Sequence, residues 1–245
     1  MQAKNLRICL LGDFSLCNDK QLGDEAGQGV HTARLQALLA YLVLHRHAPQ
    51  SRQHLAFLFW PDTNEAQALT NLRNLLHKLR QALPTLDDFI EANTQTVQWR
   101  ADASFTLDVA DFEDSLAATR TCENLSRAVQ LYRGDLLPSC YDDWILPERE
   151  RLHQLFLDAL EQLISALEAK RDYRTALHYG QRLLQVDPYN EVTYRTLMRL
   201  HAANHDRAGA LAIYQQCSEV LQKEFGAEPE EATQTLYQRL HQAEP

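Results

Sequence analysis

The chain has 245 residues, 45% hydrophobic and 23% charged, with 33 acidic against 24 basic side chains and a net charge of −9. That is enough chain for one large or two ordinary packed domains, and it excludes a disordered chain. No apolar run approaches the roughly 18 residues of a membrane span, and "MQAKNLRICLLG" lacks the core and cleavage pattern of a signal peptide. Five scattered cysteines, odd in number and without a CxxC, read as reduced thiols of a cytoplasmic protein rather than a disulfide framework or zinc site.

The charge is uneven. Residues 1–108 sum to −1 and residues 109–245 to −8, and the stretch 30–83 carries +4. A basic island therefore sits inside an acidic chain, and a polyanionic partner is compatible with the total.

Along the chain, "LRICLLGDFSL" (6–16) is a β-rich opening and 18–29 a polar loop. "HTARLQALLAYLVLH" (31–45) forms a helix, and Ser51 caps a second, "SRQHLAFLFW", which ends near Pro61. Asp62 and Glu65 have capping-box spacing for a third helix over 64–83. On a helical wheel Leu69, Leu72, Leu76, Leu79 and Leu83 form its core stripe, and Gln67, Thr70, Asn74, His77, Lys78 and Gln81 the opposite face. Asn71 lies at one margin of that face, Arg73 and Arg80 at the other. From Ala66 to Leu86 there is no carboxylate. "FIEANTQTVQW" (89–99) is a hairpin with Asn93–Thr94 near its tip. A helix-turn-helix followed by a hairpin is the layout of a winged helix, whose third helix enters the DNA major groove.

From about residue 109 the pattern is helical. At an offset of 34, "AKRDYRTALHYGQRLL" (169–184) aligns with "ANHDRAGALAIYQQCS" (203–218), matching Ala169/Ala203, Asp172/Asp206, Ala176/Ala210 and Leu177/Leu211. That period, with small residues at fixed places, is the tetratricopeptide signature. Helices over 152–169 and 189–203 would complete the pairs, and 230–242 a terminal helix. The expected fold is mainly α with a small β component. It comprises a winged helix-turn-helix domain (1–108) followed by a tetratricopeptide-like helical repeat domain (109–245).

Catalytic signals are missing: the chain has no GxxxxGK[ST], GxGxxG, GxSxG or HExxH. His201 and His205 stand at i and i+4 but lack a third ligand, and surface histidines are the plainer reading. Asp142, Asp143, Glu148 and Glu150 read as a solvated acidic helix start. The expectation is no enzyme, no cofactor and no metal.

"LRICLLGDF", "LLAYLVLH", "LFWPD" and "ALTNLRNLLHKLRQAL" resemble the winged-helix half of bacterial transcriptional activators of the antibiotic-regulatory-protein (SARP) type. "VADFEDSL", "AVQLYRGDLLP" and the long run from "EAKRDYRTALHYG" through "EFGAEPEEATQTLYQRL" resemble the activator domain that follows it. The resemblance implies an OmpR-type winged helix binding double-stranded DNA, and a repeat half serving homodimerisation and regulation. A contact with RNA polymerase is a further expected partner, and no membrane is. The expected DNA-binding residues are Thr70, Asn71, Arg73, Asn74, His77, Lys78, Arg80 and Gln81, whose side-chain types suit base edges and phosphates. The tip "ANTQT" departs from the family by lacking a basic residue, and Arg100 is the nearby substitute. The competing expectation is an interaction or ligand-sensing module whose winged helix no longer binds DNA.

Overall fold

The computed structural model describes residues 6–18 and 29–242, so most of the loop expected at 18–29 lies outside the described residues. The described residues form ten α-helices and six strands, and the chain splits into two compact units. One comprises residues up to Asp114 together with Gln130–His153, the other Ser115–Val129 together with residues from Gln154 onward.

In the first unit, β1 (Leu6–Cys9) pairs antiparallel with β2 (Ser15–Asn18) and parallel with β6 (Phe105–Leu107). Asp108 follows β6, and its carboxylate accepts hydrogen bonds from the backbone N–H groups of Leu10, Leu11 and Val109, each within 2.9 Å. Burial raises the pKa of this carboxyl above its ordinary value, while those three donors act the other way. The segment after Gln130 closes over the same end of β1. Gly12, at φ +91°, donates from its backbone to the Asp135 carbonyl, and Leu137 donates to the carbonyl of Leu10. A side chain at Gly12 would be strained in that conformation.

Helices α1 (Ala33–Leu44), α2 (Arg52–Phe59) and α3 (Glu65–Ala82) follow, then β4 (Ile90–Ala92) and β5 (Thr96–Trp99). Every residue of α1 from Ala37 to Val43 is buried, so this helix is the centre of the unit rather than a surface helix. The expected hairpin is present, with Ile90 opposite Trp99 and Ala92 opposite Val97. Unforeseen was β3 (Gln50–Ser51), which lies against β5 as a third strand and pairs Ser51 with Thr96. The chain is mainly α with a small β component, and this unit is a winged helix-turn-helix.

In the second unit the 34-residue offset appears in the backbone. Two hairpins, α6 (Leu146–Ala169) with α7 (Tyr173–Val186) and α8 (Glu191–Ala203) with α9 (Arg207–Phe225), are followed by α10 (Glu231–Gln242); only the part of α6 from Gln154 belongs to this unit. Between them in sequence with the first unit stand α4 (Asp108–Ala117) and α5 (Cys122–Leu131). Ala176 and Ala210, matched in the alignment, are both fully buried, which lets neighbouring backbones approach. At Gly180 an added Cβ would lie 2.6 Å from a Leu197 methyl, so the Leu197 side chain of α8 packs directly on the α7 backbone there. Leu184, Tyr194, Leu197, Met198, Ile213, Cys217 and Leu221 form the core, flanked by Leu236, Tyr237 and Leu240 of α10.

Candidate nucleic-acid interface

Helix α3 begins and ends within a residue of expectation, but its cap is not Asp62. Asn64 is the N-cap, with its side chain accepting from the Gln67 amide at 3.0 Å, while Ser51 caps α2 as expected. Asn64 sits directly before the first turn, and Asp62 stands two residues too early to reach those donors.

The buried face is Ala68, Leu72, Leu75, Leu76, Leu79 and Leu83. Leu69 is only half-buried, contrary to the expected stripe, and Leu75 takes its share. At 100° per residue these two stand about 60° to either side of Leu72, so sequence alone could not choose between them. Which of the two is covered is settled by the surfaces packed against α3, to which α2 and α1 contribute.

The opposite face is open. Thr70, Arg73, Asn74, His77, Lys78 and Gln81 are exposed, and Asn71 and Arg80 are half-buried at its edges. The polar side chains are partly ordered among themselves. Gln67 donates to Asn71 at 2.9 Å, Gln81 and His77 are 3.1 Å apart, and the Thr70 hydroxyl donates to the Ala66 carbonyl. Arg80 pairs with Asp87 at 2.9 Å, an exposed contact that a competing phosphate could replace at little cost. Arg73 and Lys78 have no carboxylate partner among the described residues. The result is a cationic, hydrogen-bonding face about 17 Å long from Thr70 to Gln81 by the rise per residue, with amide and guanidinium groups of the kinds that pair with base edges.

Arg100 does not reach the hairpin tip. It stands just beyond β5, at the base of the hairpin and the opposite end from the tip, and pairs with Asp102 at 3.3 Å. That hydrogen bond holds the Asp102 carboxyl below its usual range. The residue that does reach the tip is Arg52, which sequence reading placed only in a general basic island. Its Nε donates to the Asn93 carbonyl at 2.7 Å and its backbone N–H to the Gln95 carbonyl at 2.9 Å. Burial, and then the positive charges of Arg80 and Arg73, pull its pKa below the ordinary value. The signal that could have found it is the two-residue β3 ahead of it, too short to carry a period.

Elsewhere, His201 hydrogen-bonds to Asp206 at 2.8 Å and His205 occupies a left-handed turn position, φ +59°. Among the described residues no group of three His, Cys, Asp or Glu side chains converges as metal ligands. Asp142 and Glu148 of the acidic stretch are paired, with Arg34 at 2.5 Å and Arg151 at 2.5 Å. No helix among the described residues is long and apolar enough to cross a membrane.

The bacterial transcriptional activator domain family matches residues 102–241, more than half of the chain. The chain belongs to the bacterial transcriptional activator domain family. Similar curated proteins include the regulatory protein AfsR of Streptomyces coelicolor, 26% identical over 98% of this chain and 24% of that protein. AfsR of Streptomyces griseus is 24% identical over 85% of this chain and 22% of its own length. This family member thus spans about a quarter of the length of the curated relatives it matches. A solved structure, Mycobacterium tuberculosis EmbR in complex with a low-affinity phosphopeptide, matches with a TM-score of 0.69 and 20% identity. The match covers 99% of this chain and 66% of that one, and at this identity shows a shared fold. The resemblance to SARP-type activators is borne out, and the family is one of transcriptional regulators.

Proposed function

We propose that this bacterial transcriptional activator domain protein is a sequence-specific DNA-binding regulator that activates transcription. In this reading α3 lies in the major groove, and residues 109–245 mediate homodimerisation and regulation. The observation that carries it is the exposed, acid-free face of α3, with Arg73 and Lys78 unneutralised in a chain of net charge −9. A carboxylate there would repel phosphate, and a face with no ligand to meet has no physical reason to exclude one. Thr70, Asn71, Asn74, His77 and Gln81 meet base edges, and Arg73, Lys78 and Arg80 meet phosphates or guanine.

Few fixed charges give a single domain weak binding, which two copies on adjacent half-sites would strengthen through effective concentration. The acidic second half stays off the duplex and remains available to a second copy or to RNA polymerase. The alternative, a winged helix that has ceased to bind DNA, is favoured by one observation: the hairpin tip carries no charge.

The test is fluorescence anisotropy of the full chain with duplexes from upstream of its own and neighbouring genes, across a salt series. The Arg73→Ala/Lys78→Ala double variant should lose affinity and show a shallower salt slope. Binding of no duplex at low salt would sink the proposal.

A further inference from the structure

A winged helix of this kind presents a puzzle, because its hairpin tip, Asn93 to Thr96, holds no cation with which to touch a phosphate. The tip is nevertheless a built object. The Asn93 side-chain oxygen accepts from the amides of Gln95 and Thr96 at 2.8 and 2.7 Å and from the Thr96 hydroxyl at 3.2 Å. Such a turn fixes the direction of the backbone, including the Asn93 carbonyl. That carbonyl accepts the Nε–H of Arg52.

Strand β3 explains how the two meet. Ser51 pairs with Thr96 and also caps α2, so Arg52 opens the helix at the point where the tip turns back. Its two terminal guanidinium nitrogens make no hydrogen bond among the described residues, and no carboxylate pairs with it. Arg73 and Arg80 stand close enough for their charges to act on it. A half-buried guanidinium, oriented through its Nε and with its fork unoccupied, is poised for an oxyanion.

We infer that Arg52, positioned by the Asn93 carbonyl, makes the wing-side contact to the DNA backbone phosphate in this protein, and that Arg100 does not. The hairpin acts as a strut for a cation on α2 rather than carrying one itself. This rests on the proposed function, since it assigns a further contact to the same DNA-binding surface.

The experiment uses the full chain, a random-sequence duplex and the best-bound upstream duplex, with anisotropy followed across salt and a thermal melt for each variant. Arg52→Gln should weaken binding to both duplexes by roughly tenfold, as loss of a charge-assisted hydrogen bond does. It should also make the salt slope less steep by about 0.9, the share of one phosphate. Arg52→Lys keeps the charge and the fold but loses the Nε bond, so it should keep the slope and bind more weakly. Arg100→Gln should match the parent.

If Arg52→Gln melts and binds as the parent does while Arg73→Ala/Lys78→Ala binds weakly, the inference is wrong and the reading of α3 stands. If Arg52→Gln does not fold, Arg52→Lys decides: parental affinity there removes the positioning role. If the parent chain binds neither duplex at low salt, both the inference and the proposed function fall.

Discussion

Asp172 and Asp206 are equivalent residues of two successive helical hairpins, 34 positions apart in the chain. Each is the N-cap of the second helix of its pair, accepting from Thr175 N–H at 3.3 Å and from Gly209 N–H at 2.8 Å. Each donates its own amide five residues back, Asp172 to Leu167 and Asp206 to His201. Each follows a left-handed residue, Arg171 at φ +58° and His205 at φ +59°. One turn geometry thus ends the first helix and begins the second, twice.

Opposite effects are expected from neighbouring changes in this turn. Asp172→Ala removes a cap and should cost about 1 kcal/mol. Arg171→Gly relieves a side chain held at positive φ and should stabilise by up to about 1 kcal/mol. Urea denaturation of the two variants checks both, and a destabilised Arg171→Gly would mean that its side chain contributes more than the turn costs.

Asp108 ties the start of α4 to the end of β1. Asp108→Ala leaves the buried amides of Leu10 and Leu11 without their acceptor, at roughly 2–4 kcal/mol. Asp108→Asn keeps one acceptor oxygen and should cost less. Equal melting temperatures for the alanine variant and the parent would show that another group takes over.

Thiol labelling separates the units. Cys17 is exposed and should react at once, whereas Cys140 of the first unit and Cys217 of the second are buried and should react only on opening. Labelling rates of these two against urea, read by mass spectrometry, report each unit's stability. Coincident midpoints would mean that the units unfold together.

Burial, and then the charge of Glu191, push the Cys217 thiol up to about 12. A raised folded-state value favours the neutral thiol. Its stabilisation is complete below the ordinary thiol value of about 8.5 and is lost as pH rises through about 12. Cys217→Ala should therefore flatten the alkaline fall in stability across that window, and an unchanged profile would assign the fall to other groups.

Replacing exposed and buried members of α3 should split two readouts. Asn74→Ala, on the open face, should leave the melting temperature unchanged and alter DNA affinity. Leu76→Ala, in the core, should cost about 2–5 kcal/mol whatever it does to binding.

Local patterns carried much of this protein. A 3.6-residue period separated the polar face of α3 from its leucines, two short apolar runs around Asn93–Thr94 marked the hairpin, and the offset of 34 located both repeat turns. Each is written in residues close together or in a recurring spacing, because a helix or hairpin face must match its own period to be buried. What the tertiary structure decided was pairwise and distant. It chose Leu75 over Leu69 for the core, seated Arg52 against a tip 41 residues away, and left Arg100 at the hairpin's far end. It also returned Gln130–His153 to the first unit through contacts to Leu10, Gly12 and Arg34. Such choices depend on which surfaces meet once formed, and a two-residue strand such as β3 has no period to announce them.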